Sequence, residues 1–296
     1  MSKSILMMAF AKGQVSTEAA EIKKYVGFAP VKVIGVNPNK AQTKELLGYE
    51  PTDEPQYVGE VEVDGKKVKY ARIDFIIATD AEKCGIDLKS RITFFIRNQY
   101  NKGSRSGKYQ VIDEYGREAW ATDSVIQAKG KIMYKDDTME ANVTQNYRPA
   151  YVGELELTDF LRKFVNIPEV MEYVNGTWVM RSDADKCECR FDNEDIIKLF
   201  KNDFTPIKEA IALQPNNKVK ALFGIRTDKD GREFQDVYTT VLKNSSSNYK
   251  AIEEEIKNRK NNGGLTNRTY EFCELKEYVV VPTSFEDPLE NVKSPW

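Results

Sequence analysis

The residues best placed to do chemistry lie between Arg91 and Thr122, where cations and aromatic rings interleave. Strand alternation over Arg91–Arg97 sends Ile92, Phe94 and Ile96 to one face and Arg91, Thr93, Phe95 and Arg97 to the other. A Phe held between two arginines on a wet face has little packing reason to be there. Residues 99–107, QYNKGSRSG, are too polar and glycine-rich to pack and read as a loop. From Arg91 to Arg117 there are six basic residues (Arg91, Arg97, Lys102, Arg105, Lys108, Arg117) and two acidic ones (Asp113, Glu114), a net of +4 in a chain of formal net charge −2. Tyr100, Tyr109, Tyr115 and Trp120 sit among these charges. Bases stack on flat rings while a cationic groove tracks the phosphates, so the pattern points to a single-stranded nucleic-acid surface on a sheet. Phe94 and Trp120 read better as core. Phe95, Tyr100 and the loop cations Lys102, Arg105 and Lys108 read better as contacts, because a loop cannot easily bury its own tyrosine.

Other chemistries find less support. The chain has no histidine, which excludes Ser–His–Asp and Cys–His catalysis and removes the commonest metal ligand. Its cysteines are Cys84, Cys187, Cys189 and Cys273. The Cys-Glu-Cys spacing is not that of a zinc knuckle, so structural thiols are the better reading and no metal is expected. The acidic runs at 183–185, 192–195 and 253–255 fit helix starts and solvated faces. A carboxylate–magnesium nuclease would need such groups to converge on one pocket. No catalytic residue and no cofactor is expected.

The elements that must position these side chains follow from patterning. At 296 residues, 41% hydrophobic and 30% charged, the chain can bury a sizeable core. No run is long and apolar enough to span a bilayer, and the start lacks a clear cleavage site, so the cytoplasm (of a bacterial host, on the resemblance below) is the expected compartment. A helix is expected over Thr17–Tyr25, a buried strand over Gly27–Val36, and a helix after Asn39 that stops at Gly48. Residues 57–63 and 66–78 form the clearest hairpin signal, with Asp64-Gly65 as its turn. In the second strand Tyr70 and Arg72 repeat the pattern of Phe95 and Arg97, so the two pairs share a face if the strands are neighbours. A hairpin is expected over 107–122 and a strand over Lys129–Tyr134. Helices are expected from near Leu157, capped by Thr158, over 193–200 and over 248–260. Strands are expected over 178–181, 219–226, 234–242 and 272–281. The tail from Pro282 to Trp296 carries three acidic residues and one lysine, a net of −2, and could dock on replication proteins or have no role.

Residues 27–48, 54–77, 90–103 and 151–168 (GFAPVKVIGVNPNKAQTKELLG, EPQYVGEVEVDGKKVKYARIDFII, SRITFFIRNQYNKG and YVGELELTDFLRKFVNIP) resemble the predicted single-stranded-DNA-binding proteins of crAss-like and related tailed bacteriophages. That resemblance implies an OB-type barrel that coats single strands during phage DNA replication and recombination. It implies base stacking by Phe95, Tyr100 and Tyr109 and phosphate contacts from Arg72, Arg91, Arg97, Lys102 and Arg105. Some phage binders of this kind carry zinc, whose ligands this chain lacks. Their tails are usually more acidic, which weakens the case for recruitment through this one.

The expected fold is α+β: an OB-like antiparallel β-barrel or curled sheet over 1–150, a mixed α/β region over 151–281 packed on it, and a flexible tail over 282–296. The expected contact set is Tyr70, Arg72, Arg91, Phe95, Arg97, Tyr100, Lys102, Arg105, Lys108 and Tyr109. The rival readings are a phage virion structural or assembly protein and the magnesium nuclease.

Overall fold

The computed structural model describes residues 22–103, 107–113, 118–128, 130–134, 140–142, 147–165, 171–180, 182, 193–212 and 219–280. In chain order its elements begin with β1 (Ile22–Val36), α1 (Lys40–Leu47), β2 (Val58–Val63), β3 (Lys66–Thr79), α2 (Ala81–Cys84) and β4 (Lys89–Tyr100). An excursion follows: β5 (Tyr109–Asp113), β6 (Glu118–Ala121), α3 (Asp123–Ala128), β7 (Lys131–Tyr134), β8 (Glu140–Asn142), β9 (Tyr147–Pro149) and β10 (Tyr151–Val152). Then come α4 (Glu154–Val165), β11 (Met171–Val174), β12 (Thr177–Met180), α5 (Asn193–Leu199) and α6 (Thr205–Ala212). The last elements are β13 (Val219–Thr227), β14 (Glu233–Val237), β15 (Leu242–Lys243), α7 (Lys250–Asn261), β16 (Arg268–Tyr270) and β17 (Lys276–Val280).

The fold is mixed α+β and is dominated by one curled sheet of ten strands with antiparallel ladders. Its spine runs β10–β4–β3–β1–β13–β14; β2 extends β3, β15 and β16 pair with β13, and β17 pairs with β1. The curl carries β14 back to within 8 Å of β4, Cα to Cα, without hydrogen-bonded pairing. β1 makes this possible by changing partners along its length. It pairs with β17 at 22–26, with β13 at 27–31 and with β3 at 31–36, where the register shifts between Val33 and Gly35. Gly27, at φ +120°, lies against the backbone of Cys273–Leu275, where any Cβ would come within 2.8–2.9 Å. Only glycine tolerates both that conformation and that approach.

One face of the sheet holds the main core. Val31, Ile73, Phe75, Ile77, Ile92, Phe94, Ile96 and Phe223 are buried there. Helix α4 lays Leu157, Phe160, Leu161 and Phe164 onto them at helical spacing. The Phe160 ring sits 4.7 Å from that of Phe75 and 5.0 Å from that of Phe94. On the other side of β1 and β13, α7 covers Phe28 and Leu222 with Ile252 and Ile256, and Tyr249 stacks on Phe28 at 4.2 Å. The excursion forms a five-stranded sheet, β8–β7–β6–β5–β9, with a small core of Val111, Ala119, Ala121 and Ile132. The fully buried Glu154 ties it to the body by accepting from Arg148 of β9 (3.0 Å) and from the Tyr151 N–H (2.9 Å). β11 and β12 form a separate two-stranded ribbon.

Several expectations meet the structure directly. The α1 capping box is in place, Asn39 accepting from the Gln42 N–H at 2.8 Å, and Gly48 closes the helix in the left-handed region. Asp64 and Gly65 both have positive φ, as a two-residue hairpin turn between β2 and β3 requires. Other expectations need correction. Residues 22–25 of the expected Thr17–Tyr25 helix are strand, because pairing with β17 outweighs their local helical pattern; residues 17–21 lie outside the described residues. Helix α4 begins at Glu154, so Thr158 is buried one turn inside it and is not its cap. Residues 272–275 precede β17 and are not part of it. The principal sheet draws strands from both sides of residue 150, since β13 pairs directly with β1. No local pattern reports a pairing so distant in the chain. The tail at 282–296, Cys187 and Cys189 lie outside the described residues.

Candidate nucleic-acid interface

β3 and β4 pair in the register that sets Tyr70 opposite Arg97, Arg72 opposite Phe95, Asp74 opposite Thr93 and Ile76 opposite Arg91. These eight residues share the face turned away from the main core, while Ile73, Phe75, Ile92, Phe94 and Ile96 point into it. The face is not uniform. At one end Ile76 and Asp74 are buried, with Asn37 hydrogen-bonded to Asp74 and Tyr57 stacked on Arg72, while Arg91 at the margin of that end stays exposed. Its other end is open: Phe95 is 52% exposed, Arg97 is exposed and Tyr70 is half-buried.

The open end is an aromatic platform. The rings of Tyr70 and Phe95 meet edge to face with centroids 5.9 Å apart, a favoured aromatic geometry. Tyr70 lies over the backbone of Gly59 on β2, where an added Cβ would come within 2.8 Å of its hydroxyl. Beneath Phe95 the chain is tightly held. Gly153, at φ +86°, sits against the Phe95 carbonyl, and a Cβ there would approach that oxygen to 2.0 Å. The Arg97 guanidinium has no hydrogen bond or ion pair among the described residues.

The closed end is organised by Asp74, which is 1% exposed. Its carboxylate accepts from Arg72 Nε (2.9 Å), Arg72 Nη2 (2.6 Å) and the Thr93 hydroxyl (2.7 Å), and Arg91 Nη1 stands 3.6 Å away. Asn37, at φ 46°, reaches across to accept from the Asp74 N–H and to donate to the Arg72 carbonyl. The Arg72 guanidinium lies over the Tyr57 ring, and the Tyr57 hydroxyl donates to the Pro38 carbonyl at 2.7 Å. Burial, and then the Asp74 carboxylate, push the Tyr57 hydroxyl up to about 12. Arg91 also reaches Tyr49, donating to its hydroxyl at 3.5 Å.

The structure divides the ten expected contact residues into two groups. Tyr70, Arg72, Arg91, Phe95 and Arg97 share the β3–β4 face. Tyr100 lies past a register shift in the pairing of β4 with β10 and leans on the core residue Tyr151, centroids 5.1 Å apart, with 45% of its surface exposed. Lys102 and Tyr109 bridge to the second sheet, with the Lys102 ammonium 4.9 Å from the Tyr109 ring centre, and Tyr109 packs against the small core. Lys108 is half-buried beside them. Arg105 lies outside the described residues.

Asp74 was not among the expected contacts, although it follows Tyr70 and Arg72 on this face by the same alternation. Nor was a row across β14, β13 and β16 among them. Arg226 sits between Phe234 and Arg268 in register, with its guanidinium 5.3 Å from the centre of the exposed Phe234 ring. The Asp-Gly turn between β13 and β14, flanked by an arginine and a phenylalanine, was the available signal. No group of three or more His, Cys, Asp or Glu that could hold a metal ion occurs among the described residues. No helix among them is long and apolar enough to cross a membrane. Compared with protein-family models, curated proteins and solved structures, the chain matches none.

Proposed function

We propose that this protein binds single-stranded DNA without sequence preference, the β3–β4 face serving as the stacking surface. The observation that carries the reading is Phe95: a large ring, half exposed, in contact with Tyr70 and flanked by the uncommitted Arg97. Every base has a face to stack, and an adjacent guanidinium suits the phosphate that follows it. The strand order supports an OB-type barrel. Taken in chain order, β1, β3, β4, β13 and β14 lie side by side as β4–β3–β1–β13–β14, with β14 returning beside β4. An OB-fold is a partly open five-stranded barrel that binds oligonucleotides on its second and third strands. Those strands here are β3 and β4. Coating of single strands during replication and recombination in a phage-infected cell is the role this reading assigns.

The test is a fluorescence-anisotropy titration with single- and double-stranded oligonucleotides, with and without magnesium. Tight binding to the single strand alone, weakened about tenfold by Phe95→Ala, supports the reading. Binding to neither probe favours a structural or assembly role, and degradation of the probe with magnesium favours a nuclease.

A further inference from the structure

Two clefts run from the neighbourhood of the Tyr70–Phe95 platform, meeting at Thr93 and Thr239, and they carry opposite charge. Toward α4 and α7, Phe95 itself lines a cleft whose charged groups are Glu156, Asp159, Glu255 and Arg259. On that side Asp159 is paired with Lys163 (2.6 Å) and Glu255 stands 3.9 Å from Arg259, which leaves Glu156 as the charge in excess, so the cleft is acidic by that one carboxylate. Toward the other end of β4, the seam where β14 approaches without pairing widens into a groove of about 540 Å³. Tyr49, Lys89, Arg91, Arg226 and Arg268 line it, with Asp236 as its one carboxylate. Asp236 is already committed, accepting from Tyr270 (2.6 Å) and paired with Arg268 (2.9 Å). The Tyr270 ring reaches it by crossing Gly224, where a Cβ would approach the ring to 2.3 Å. Lys89 and Arg226 therefore face the groove in excess over its acid, with Arg91 beside them shared with Asp74. Arg226, on its wall, lies over Phe234, a ring 41% exposed.

Resting on the stacking reading above, we infer that the polynucleotide leaves the Tyr70–Phe95 platform along the β4–β14 seam and meets a second stacking position at Phe234 and Arg226. A polyphosphate chain leaving Phe95 is repelled by Glu156 of α4 and drawn along Arg91 and Lys89. At the far end a base enters over Phe234, and Arg226 exchanges its ring contact for a phosphate or stacks on the base's other face. The two platforms act in series, so the second adds affinity only when the strand is long enough to reach it.

The test uses the full chain and labelled oligothymidylates at the two ends of the usual range of site sizes, about 4 and about 16 nucleotides. Phe234→Ala and Arg226→Glu both alter exposed side chains, and their melting temperatures should match the parent. Each should weaken binding of the long oligonucleotide by about tenfold and leave the short one within about twofold. Lys89→Glu on the opposite wall gives an independent variant with the same expected signature. If Phe95→Ala weakens both probes while all three groove variants leave the long one unchanged, the stacking reading stands and this path is wrong. If the parent binds neither probe, or Phe95→Ala changes nothing, the underlying reading fails and the path fails with it.

Discussion

Arg72 grips both carboxylate oxygens of Asp74, at 2.9 and 2.6 Å, and the carboxylate beneath it is 1% exposed. The pair lies on the candidate binding face, yet two of the guanidinium nitrogens are turned inward to hold the sheet together. Its neighbour Arg97 has no such duty among the described residues. The two arginines differ in consequence although they are alike in type and face.

Arg72→Met should cost about 3–5 kcal/mol of stability, because it strands a buried carboxylate. Adding Asp74→Leu to it should restore a large part of that loss, since a matched apolar pair removes the orphaned charge. Chemical denaturation of the two singles and the double measures the coupling. Additive losses would show that the pair does not organise this end of the face.

Arg97→Met should do the opposite, leaving the denaturation midpoint unchanged and weakening single-strand binding. If four to six cations contact phosphate, the slope of log K against log salt is roughly −3 to −4, from about −0.7 per contact, and Arg97→Met should flatten it by about 0.7. A titration series in salt reads this directly. A flat response in the parent protein would remove the electrostatic part of the proposal.

Phe94 and Phe95 are adjacent and identical, and the strand turns them to opposite sides, 5% and 52% exposed. Phe94→Ala should cost about 3–5 kcal/mol of stability by emptying a site against Phe75 and Phe160. Phe95→Ala should leave the melting temperature nearly unchanged while costing about 1–3 kcal/mol of binding. The reverse pattern would place the binding face on the other side of β4.

Tyr57 and Tyr238 are both pushed up to about 12, chiefly by burial. For a group whose folded value is raised, the stabilisation is complete below the unfolded value near 10 and is lost as pH rises through the folded value. Stability should therefore fall between about pH 10 and 12, and Tyr57→Phe should make that fall shallower. Tyr57 is half-buried, so solvent screening keeps the effect modest. Denaturation midpoints across this pH range, with phenolate absorbance followed in parallel, provide the check. A slope unchanged by Tyr57→Phe would show that its hydroxyl ionises without penalty in the folded state.

What the sequence determined was local. Period-two alternation assigned Ile92, Phe94 and Ile96 to the core and Phe95 to the open face before any partner strand was known, because successive side chains must point to opposite sides. The Asp64-Gly65 turn and the Gly48 stop were legible because their positive φ favours those residue types, and the Asn39 cap because its side chain can accept from the Gln42 N–H. The tertiary structure alone decided which strands became neighbours. The pairing of Val31 with both Val219 and Thr79 and the return of β14 beside β4 close the sheet across nearly 200 residues of chain. Burial and register along the chain carry no record of that closure. It likewise separated Tyr100 and Tyr109 from Phe95, turned Arg72 inward to Asp74, and brought Arg226 and Phe234 to the groove. Each of these outcomes depends on what stands opposite a side chain, and that is set by packing between distant segments.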